Sequence, residues 1–213
     1  MLSLLAFCAY ICGNQHIRVP MTRIALIRHG STAWNKEGKM QGSTDIPLDP
    51  EGLEQARKLA IRLSDEHWDL IYTSQLSRAR QTGEIIAAGL GITDLRQDKR
   101  LMEVSGGQTE GTTEADRIAR WGADWRQLEL GMEAEQSVLG RGMEFLDELL
   151  SEHAGKHILL VSHGSFIRHL LRKLAPALTQ DSNLKNTSVT RFTVNDDQWE
   201  CELYNCTAHL TEA

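Results

Sequence analysis

Apolar residues along the chain form two kinds of pattern: short unbroken runs, and longer stretches with helical spacing. The runs at residues 24–27 and 158–161 are each long enough for one buried strand, and each is closely followed by a histidine and a glycine. Four further strands are predicted over residues 68–74, 95–100, 188–194 and 199–204.

Helix boundaries are indicated by capping residues and by residues that do not continue a helix. Asp49 followed by Pro50 gives an N-cap and a proline at the first helical position, so a helix is predicted from there to about Ser64. Its apolar face consists of Leu53, Ala56, Leu59, Ala60 and Leu63. Further helices are predicted over residues 74–90, 113–128 and 166–174, with a longer one through residues 138–150 that ends by Gly155. Residues 35–49 and 101–112 are rich in glycine and polar residues and are predicted to be loops.

This succession of strands and helices predicts an α/β fold, a three-layer sandwich with a mostly parallel central sheet and helices on both faces. In such sheets the ligand crevice lies at the carboxyl ends of the strands, so the first polar residues after a buried strand point into the site. Arg28 and His29 follow the first strand, and His163 follows the strand that begins near His157. The two strands could therefore bring both imidazoles to one rim.

The length and composition of the chain are those of one ordinary globular domain. It has 213 residues, of which 41% are hydrophobic and 24% charged. We predict a single domain over residues 21–213. The net charge of −6 argues against nucleic acid as a partner, because nucleic-acid-binding proteins usually carry a basic patch. A small phosphorylated substrate is still compatible with this charge, since a few arginines in a cleft create a locally positive site.

The N-terminal segment differs in character from the rest of the chain. Residues 1–12 form an apolar run without a preceding lysine or arginine, too short to span a bilayer and lacking the charged start of a signal peptide. We therefore expect no membrane partner, and we interpret residues 1–20 as an extension outside the fold. A cleaved secretion signal is the alternative.

The cysteines are Cys8, Cys12, Cys201 and Cys206. They include no CxxC pair, so we expect free thiols and a cytoplasmic location.

The ordered motifs of the chain resemble the histidine phosphatase superfamily, which includes the cofactor-dependent phosphoglycerate mutases. The resemblance covers residues 22–174. It begins with Arg28-His29-Gly30 and ends with Ser162-His163-Gly164. Between them lie Thr32, Trp34, Asn35, Gln41, Gly42, Asp45, Pro47, Leu48, Gly52, Gln55, Ala56, Ser74, Leu76, Arg78, Ala79, Gln81, Thr82, Leu101 and Glu103.

Phosphoryl transfer to a side chain needs a nucleophile in line with the leaving oxygen and cations on the equatorial oxygens. The resemblance implies that His29 is this nucleophile and forms a phosphohistidine that water later cleaves. It places Arg28, Arg78 and His163 on the phosphoryl group. Neighbouring guanidiniums should keep the imidazole of His29 unprotonated by like-charge repulsion. No metal and no cofactor are expected, because the sequence contains neither an HExxH motif nor another cluster of ligands.

The leaving alkoxide needs a proton, and the resemblance implies that Glu103 donates it. The chain departs from the family pattern nearby, since Thr109 stands where an aromatic residue is common. Hydrogen bonds to phosphate or substrate are expected from Ser31, Thr32, Asn35, Gln41 and Gly164.

These observations predict a metal-independent phosphomonoester hydrolase acting on a small phosphorylated metabolite. A phosphoglycerate mutase and a non-catalytic phospho-ligand binder are the alternatives. Retention of both histidines and of Glu103 favours an enzyme, because binding alone needs neither a nucleophile nor an acid. Mutases of the family carry a longer insertion between Glu103 and His163, where this chain has 59 residues, so hydrolysis is favoured. The substrate stays open, as does the choice between monomer and homodimer.

Overall fold

A computed structural model of the protein describes residues 21–178, 183–195 and 198–211. The predicted N-terminal extension, residues 1–20, lies outside the described residues, as do Cys8 and Cys12. The two described cysteines, Cys201 and Cys206, are free thiols. No helix in the described part of the chain is long and apolar enough to cross a membrane.

The strands form one mixed sheet. They are β1 (Thr22–Arg28), β2 (Leu70–Thr73), β3 (Leu95–Gln97), β4 (His157–Ser162), β5 (Val189–Asn195) and β6 (Gln198–Cys206). Their spatial order is β3-β2-β4-β1-β5-β6. The neighbours among β1 to β4 run parallel, whereas β5 is antiparallel to both β1 and β6. The prediction of a mostly parallel sheet is confirmed.

Helices pack on both faces of this sheet. The α-helices of the described residues are α1 (Ala33–Lys36), α2 (Pro50–Leu63), α3 (Ser77–Leu90), α4 (Glu114–Trp121), α5 (Glu135–Glu152) and α6 (Gly164–Leu174). Of these, α2 and α3 pack on one face of the sheet, and α5 and α6 pack on the other. Successive residues of β1 face opposite sides, because side chains alternate along a strand. Ile24 and Leu26 enter the core formed with α5 and α6, whereas Ala25 and Ile27 enter the core formed with α2 and α3. The fold is therefore the predicted three-layer sandwich.

Local sequence rules explain where α2 begins and where α4 ends. The Asp49 carboxylate accepts a hydrogen bond from the Gly52 amide at 2.7 Å, which confirms the predicted cap of α2. The prediction of one helix over residues 113–128 is wrong, because the helix stops at Trp121. Gly122 has a φ of 85°, a conformation that does not continue a helix. The predicted loop from residue 35 also begins inside α1, a single turn capped by Thr32.

The positions of β1 and β4 fix the location of the predicted site. The two strands are parallel neighbours, and Arg28 pairs with Ser162 at their carboxyl ends. His29 and His163 directly follow these two residues. Both imidazoles therefore lie at the same edge of the sheet, as predicted.

Candidate active site

The two histidines are buried and adjacent, with ring centroids 5.2 Å apart. Nδ1 of His29 lies 2.7 Å from the carbonyl oxygen of Gly30. Because a carbonyl only accepts hydrogen bonds, this contact assigns the ring proton to Nδ1 and leaves a lone pair on Nε2. Burial, followed by the charges of Arg28 and Arg78, holds the pKa of His29 well below its usual value of 6.5. Nε2 of His29 is thus an unprotonated nitrogen at neutral pH.

His163 has the opposite tautomer. Its Nδ1 accepts a hydrogen bond from Nε of Arg78 at 3.2 Å. Because a guanidinium only donates, the ring proton of a neutral His163 must be on Nε2. Burial and then the charge of Arg78 lower its pKa well below the usual range, so the ring is neutral. This Nε2 is buried and has no hydrogen-bond partner among the described residues. It is an N–H donor beside the ring of His29.

Arg78 is fully buried at the start of α3. Besides the His163 ring, its guanidinium donates to the carbonyl of Thr44 at 2.8 Å and to that of Gly42 at 2.7 Å. Burial lowers the pKa of Arg78 to about 10, which still leaves it charged at neutral pH. The guanidinium is therefore held by neutral groups, and its charge remains available to an anion.

Arg28 is the second cation beside His29. One terminal nitrogen donates to the carbonyl of Leu184, while Nε is buried and has no hydrogen-bond partner in the described part of the chain. Burial lowers its pKa, and the nearby Glu103 carboxylate opposes that shift. The absence of a side chain at Gly164 permits close approach, since a Cβ there would lie 3.3 Å from Nε of Arg28. Arg28 thus has an N–H group beside His29 that no described residue satisfies.

Glu103 is fixed by the amino terminus of α6. Its Oε1 accepts hydrogen bonds from the amides of Val104 and Phe166, both at 2.9 Å, and its Oε2 accepts from the Ser165 amide at 3.1 Å. The residue at the N-cap of α6, His163, makes no side-chain capping bond, so a carboxylate about 60 residues earlier in the chain caps this helix instead. This contact holds the carboxylate in the same site as Arg28, His29 and Arg78.

A cavity of about 460 Å³ opens over these groups. Its lining carries six cationic side chains and one carboxylate, that of Glu103. The cations are Arg28, Lys39, Arg78, Arg117, Arg126 and Arg168. The cavity is therefore a strongly positive region on an acidic protein, and it suits a small anion.

The structure separates the predicted binding residues into two groups. Asn35, Gln41 and Gly164 line the cavity. Ser31 and Thr32 are buried behind it. The Ser31 hydroxyl donates to Asp49 at 3.0 Å, and the Thr32 hydroxyl donates to the Gln41 side chain at 3.0 Å. Their contacts organise the loop around the cavity, and binding roles for all five residues stay predictions.

Several residues at the site are missing from the sequence prediction. Lys39, Arg117, Arg126 and Arg168 lie on separate segments, and only the fold brings their charges together. Asn186 was also missed, although its side-chain amide donates to the His29 carbonyl at 3.0 Å. The next residue, Thr187, has a φ of 53° and donates its amide to the Arg28 carbonyl. No local motif marks this turn, which supports the end of β1 from 157 residues away.

Among residues 21–178, 183–195 and 198–211, no group of three or more His, Cys, Asp or Glu side chains is arranged to hold a metal ion. His153, His157 and His169 do not form such a group. Tyr72 contacts His153 at 3.1 Å, and His157 contacts the carbonyl of His67.

Comparison with known proteins gives a consistent set of similarities. Residues 24–207 match the sequence model of the histidine phosphatase superfamily (branch 1). The uncharacterized phosphatase PhoE of Bacillus subtilis is 34% identical, over 90% of this chain and 98% of that protein. The probable phosphoglycerate mutase GpmB of Escherichia fergusonii is 34% identical, over 84% and 88%. A solved structure of Entamoeba histolytica phosphoserine phosphatase with phosphoserine is 29% identical, with a TM-score of 0.75 over 89% of this chain and 100% of that one.

Proposed function

The chain belongs to the histidine phosphatase superfamily, and from that membership we propose that it hydrolyses a small phosphomonoester through a phosphohistidine on His29. The observation that carries the proposal is the pair of opposite tautomers. Nε2 of His29 has a lone pair, while Nε2 of His163 has a proton and no partner among the described residues. One nitrogen suits attack on phosphorus, and the other suits donation to a phosphoryl oxygen.

In the first step, Nε2 of His29 attacks the phosphorus atom, and the bond from phosphorus to the leaving oxygen breaks. Arg28, Arg78 and His163 donate to the equatorial oxygens and stabilise the charge that develops there. The acid form of Glu103 gives its proton to the leaving oxygen, so the product leaves as an alcohol and Glu103 becomes a carboxylate. The phosphoryl group remains on His29.

In the second step, water attacks the phosphohistidine. Glu103, now a carboxylate, takes a proton from this water, and the bond from phosphorus to Nε2 breaks. Inorganic phosphate leaves, and both His29 and Glu103 return to their starting forms. Glu103 thus acts as a general acid in the first step and as a general base in the second.

A phosphatase must let water reach its phosphohistidine, whereas a mutase must keep water away from it. We propose hydrolysis because the chain between Glu103 and His163 lacks the longer insertion that mutases of the family carry. Residues 104–162 are accounted for by α4, α5, β4 and the connections between them, which supports the absence of a longer insertion that would cover the site. The Entamoeba relative holds phosphoserine, so small phosphorylated amino acids and hydroxy acids are the first candidates for the substrate. Metal independence, a cytoplasmic location and the choice between monomer and homodimer remain predictions.

The proposal is tested by incubating the purified protein with a panel of phosphomonoesters, in the presence and absence of a chelator. We expect release of inorganic phosphate from at least one substrate, unaffected by the chelator. With 3-phosphoglycerate and a catalytic amount of the bisphosphate, formation of 2-phosphoglycerate should be much slower than phosphate release from the best monoester. Rapid interconversion with negligible phosphate release would instead identify a mutase, and loss of activity with chelator would contradict the mechanism.

A further inference from the structure

Glu110 lies outside the set of residues proposed to act on substrate, yet its carboxylate is densely hydrogen-bonded. Its Oε1 accepts from the amide and hydroxyl of Ser43, at 2.8 and 2.9 Å, and from the Gly106 amide at 2.9 Å. Its Oε2 accepts from the amide of Thr44 at 3.0 Å and from the hydroxyl of the same residue. One carboxylate thus ties residues 43 and 44 to the loop that begins after Glu103.

The same short segment binds Arg78 with its carbonyl groups. The carbonyls of Gly42 and Thr44 accept hydrogen bonds from the two terminal nitrogens of Arg78, at 2.7 and 2.8 Å. Residues 42–44 therefore lie between the Glu110 carboxylate and the Arg78 guanidinium. The N–H groups of Ser43 and Thr44 donate to the Glu110 carboxylate, and the C=O groups of Gly42 and Thr44 accept from the Arg78 guanidinium.

This arrangement gives Arg78 a fixed position without neutralising it. A carboxylate in direct contact would compete with a phosphoryl group for the guanidinium, whereas carbonyls hold it and leave its charge uncompensated. Burial alone would raise the pKa of Glu110, but hydrogen bonds from Thr44, Ser43 and Gly106 outweigh it and lower the pKa. The carboxylate is therefore ionised at neutral pH. Its negative charge is near Arg78 but is separated from the guanidinium by residues 42–44.

Two further features fix the conformation of residues 42–44 beside Arg78. Gly42 has a φ of +54°, and a Cβ there would lie 2.1 Å from Oε1 of Glu110, so glycine is required. Beyond the segment, the Asp45 carboxylate accepts from the amide and hydroxyl of Ser77, at 2.6 and 2.7 Å. Ser77 immediately precedes Arg78. The chain that follows residues 42–44 is thus also fixed next to Arg78.

We infer that Glu110 is a positioning residue, which acts through residues 42–44 to hold the Arg78 guanidinium where it meets the phosphoryl group. This inference rests on the proposed function in one respect, namely that Arg78 binds the phosphoryl group.

The test replaces Glu110 with glutamine, which has the same shape but only one acceptor oxygen. Its amide nitrogen would face the N–H groups of Ser43 or Thr44. Removal of a negative charge near an anion site should, by charge alone, tighten phosphate binding. Displacement of Arg78 should weaken it. We expect Glu110→Gln to weaken binding of inorganic phosphate about tenfold in calorimetry, and to raise KM by a similar factor for both aryl and alkyl phosphates.

Asp69→Asn is the matched control. This carboxylate also accepts a backbone amide, that of His157 at 2.8 Å, but it lies at the opposite end of the sheet. The Asp69→Asn variant should bind phosphate with the affinity of the wild type. A double variant tests the route through Arg78. In an Arg78→Lys background, Glu110→Gln should change phosphate affinity less than about twofold, because the positioned group is already gone.

Three results would overturn the inference: unchanged or tighter phosphate binding in Glu110→Gln, an equal loss in Asp69→Asn, or an undiminished effect in the Arg78→Lys background. If Glu110→Gln does not fold, Thr44→Val removes one hydrogen bond to Glu110, and it should still weaken phosphate binding about threefold; an unchanged affinity would also overturn the inference. Failure of the proposed function would be seen separately, as a wild-type protein that binds phosphate but hydrolyses no phosphomonoester.

Discussion

Replacement of Glu103 by glutamine should separate substrates by their leaving groups. The structure predicts what the change removes. A glutamine oxygen can keep both contacts of Oε1, to Val104 and Phe166, while its amide nitrogen then faces the Ser165 amide in place of Oε2. The variant loses the transferable proton and one charge-assisted hydrogen bond. Loss of the proton should slow alkyl phosphates by about 10² to 10⁴. An activated aryl phosphate should slow by less than about tenfold, because its leaving group needs no proton.

Stability should change with activity, because Glu103 also caps α6. Loss of a hydrogen bond to a charged group costs about 1.5–3 kcal/mol, which for a domain of this size lowers the Tm by about 3–12 °C. The assay is kcat/KM for p-nitrophenyl phosphate and for an alkyl phosphate, with thermal melting of each variant. Glu144→Gln is the control, since this exposed carboxylate lies outside the cavity over His29. Equal slowing of both substrates would refute the reasoning and would assign Glu103 to positioning alone.

Three further predictions concern stability and fold boundaries. The pKa values of His29 and His163 lie well below 6.5 in the fold, so the unfolded chain takes up protons that the folded one does not. The free energy of unfolding should therefore fall by up to about 1.4 kcal/mol per pH unit for each histidine as the pH drops below 6.5, in urea titrations. Gly42→Ala should cost about 1–3 kcal/mol in the same assay, because its positive φ and the contact with Glu110 exclude a Cβ. Deletion of residues 1–20 should leave activity and Tm nearly unchanged, and a large loss of either would show that this segment belongs to the fold.

The sequence was most informative where a local rule decides the structure. A buried apolar run that ends in polar residues predicts a strand end at the site, and parallel pairing of β1 with β4 then brings His29 and His163 together. The cap of α2 at Asp49 is equally local. Such features depend on neighbours in the chain, so they can be predicted without coordinates.

Prediction failed where a turn interrupts an apparent helical pattern and where contacts between distant residues decide the structure. Arg117 and Arg126 both bind the Glu114 carboxylate and lie over the ring of Trp125, and this packing follows from the turn at Gly122 that ends α4 early. A continuous helix over residues 113–128, as predicted, would not bring Arg117, Arg126 and Trp125 together around Glu114. The tautomer of His163 likewise depends on a hydrogen bond from a residue 85 positions away. Hydroxyl residues near the nucleophile are ambiguous for another reason, since turns and phosphate sites use the same donors.

The central claim is that the phosphoryl group is transferred to Nε2 of His29, and it is tested most directly by trapping that intermediate. The protein is mixed briefly with a ³²P-labelled substrate, denatured, and digested for mass spectrometry. We expect label on His29 that survives alkali and is lost in acid, as a nitrogen-linked phosphoryl group requires, and none in His29→Ala. Label on a serine or an aspartate, or label retained in His29→Ala, would contradict the mechanism.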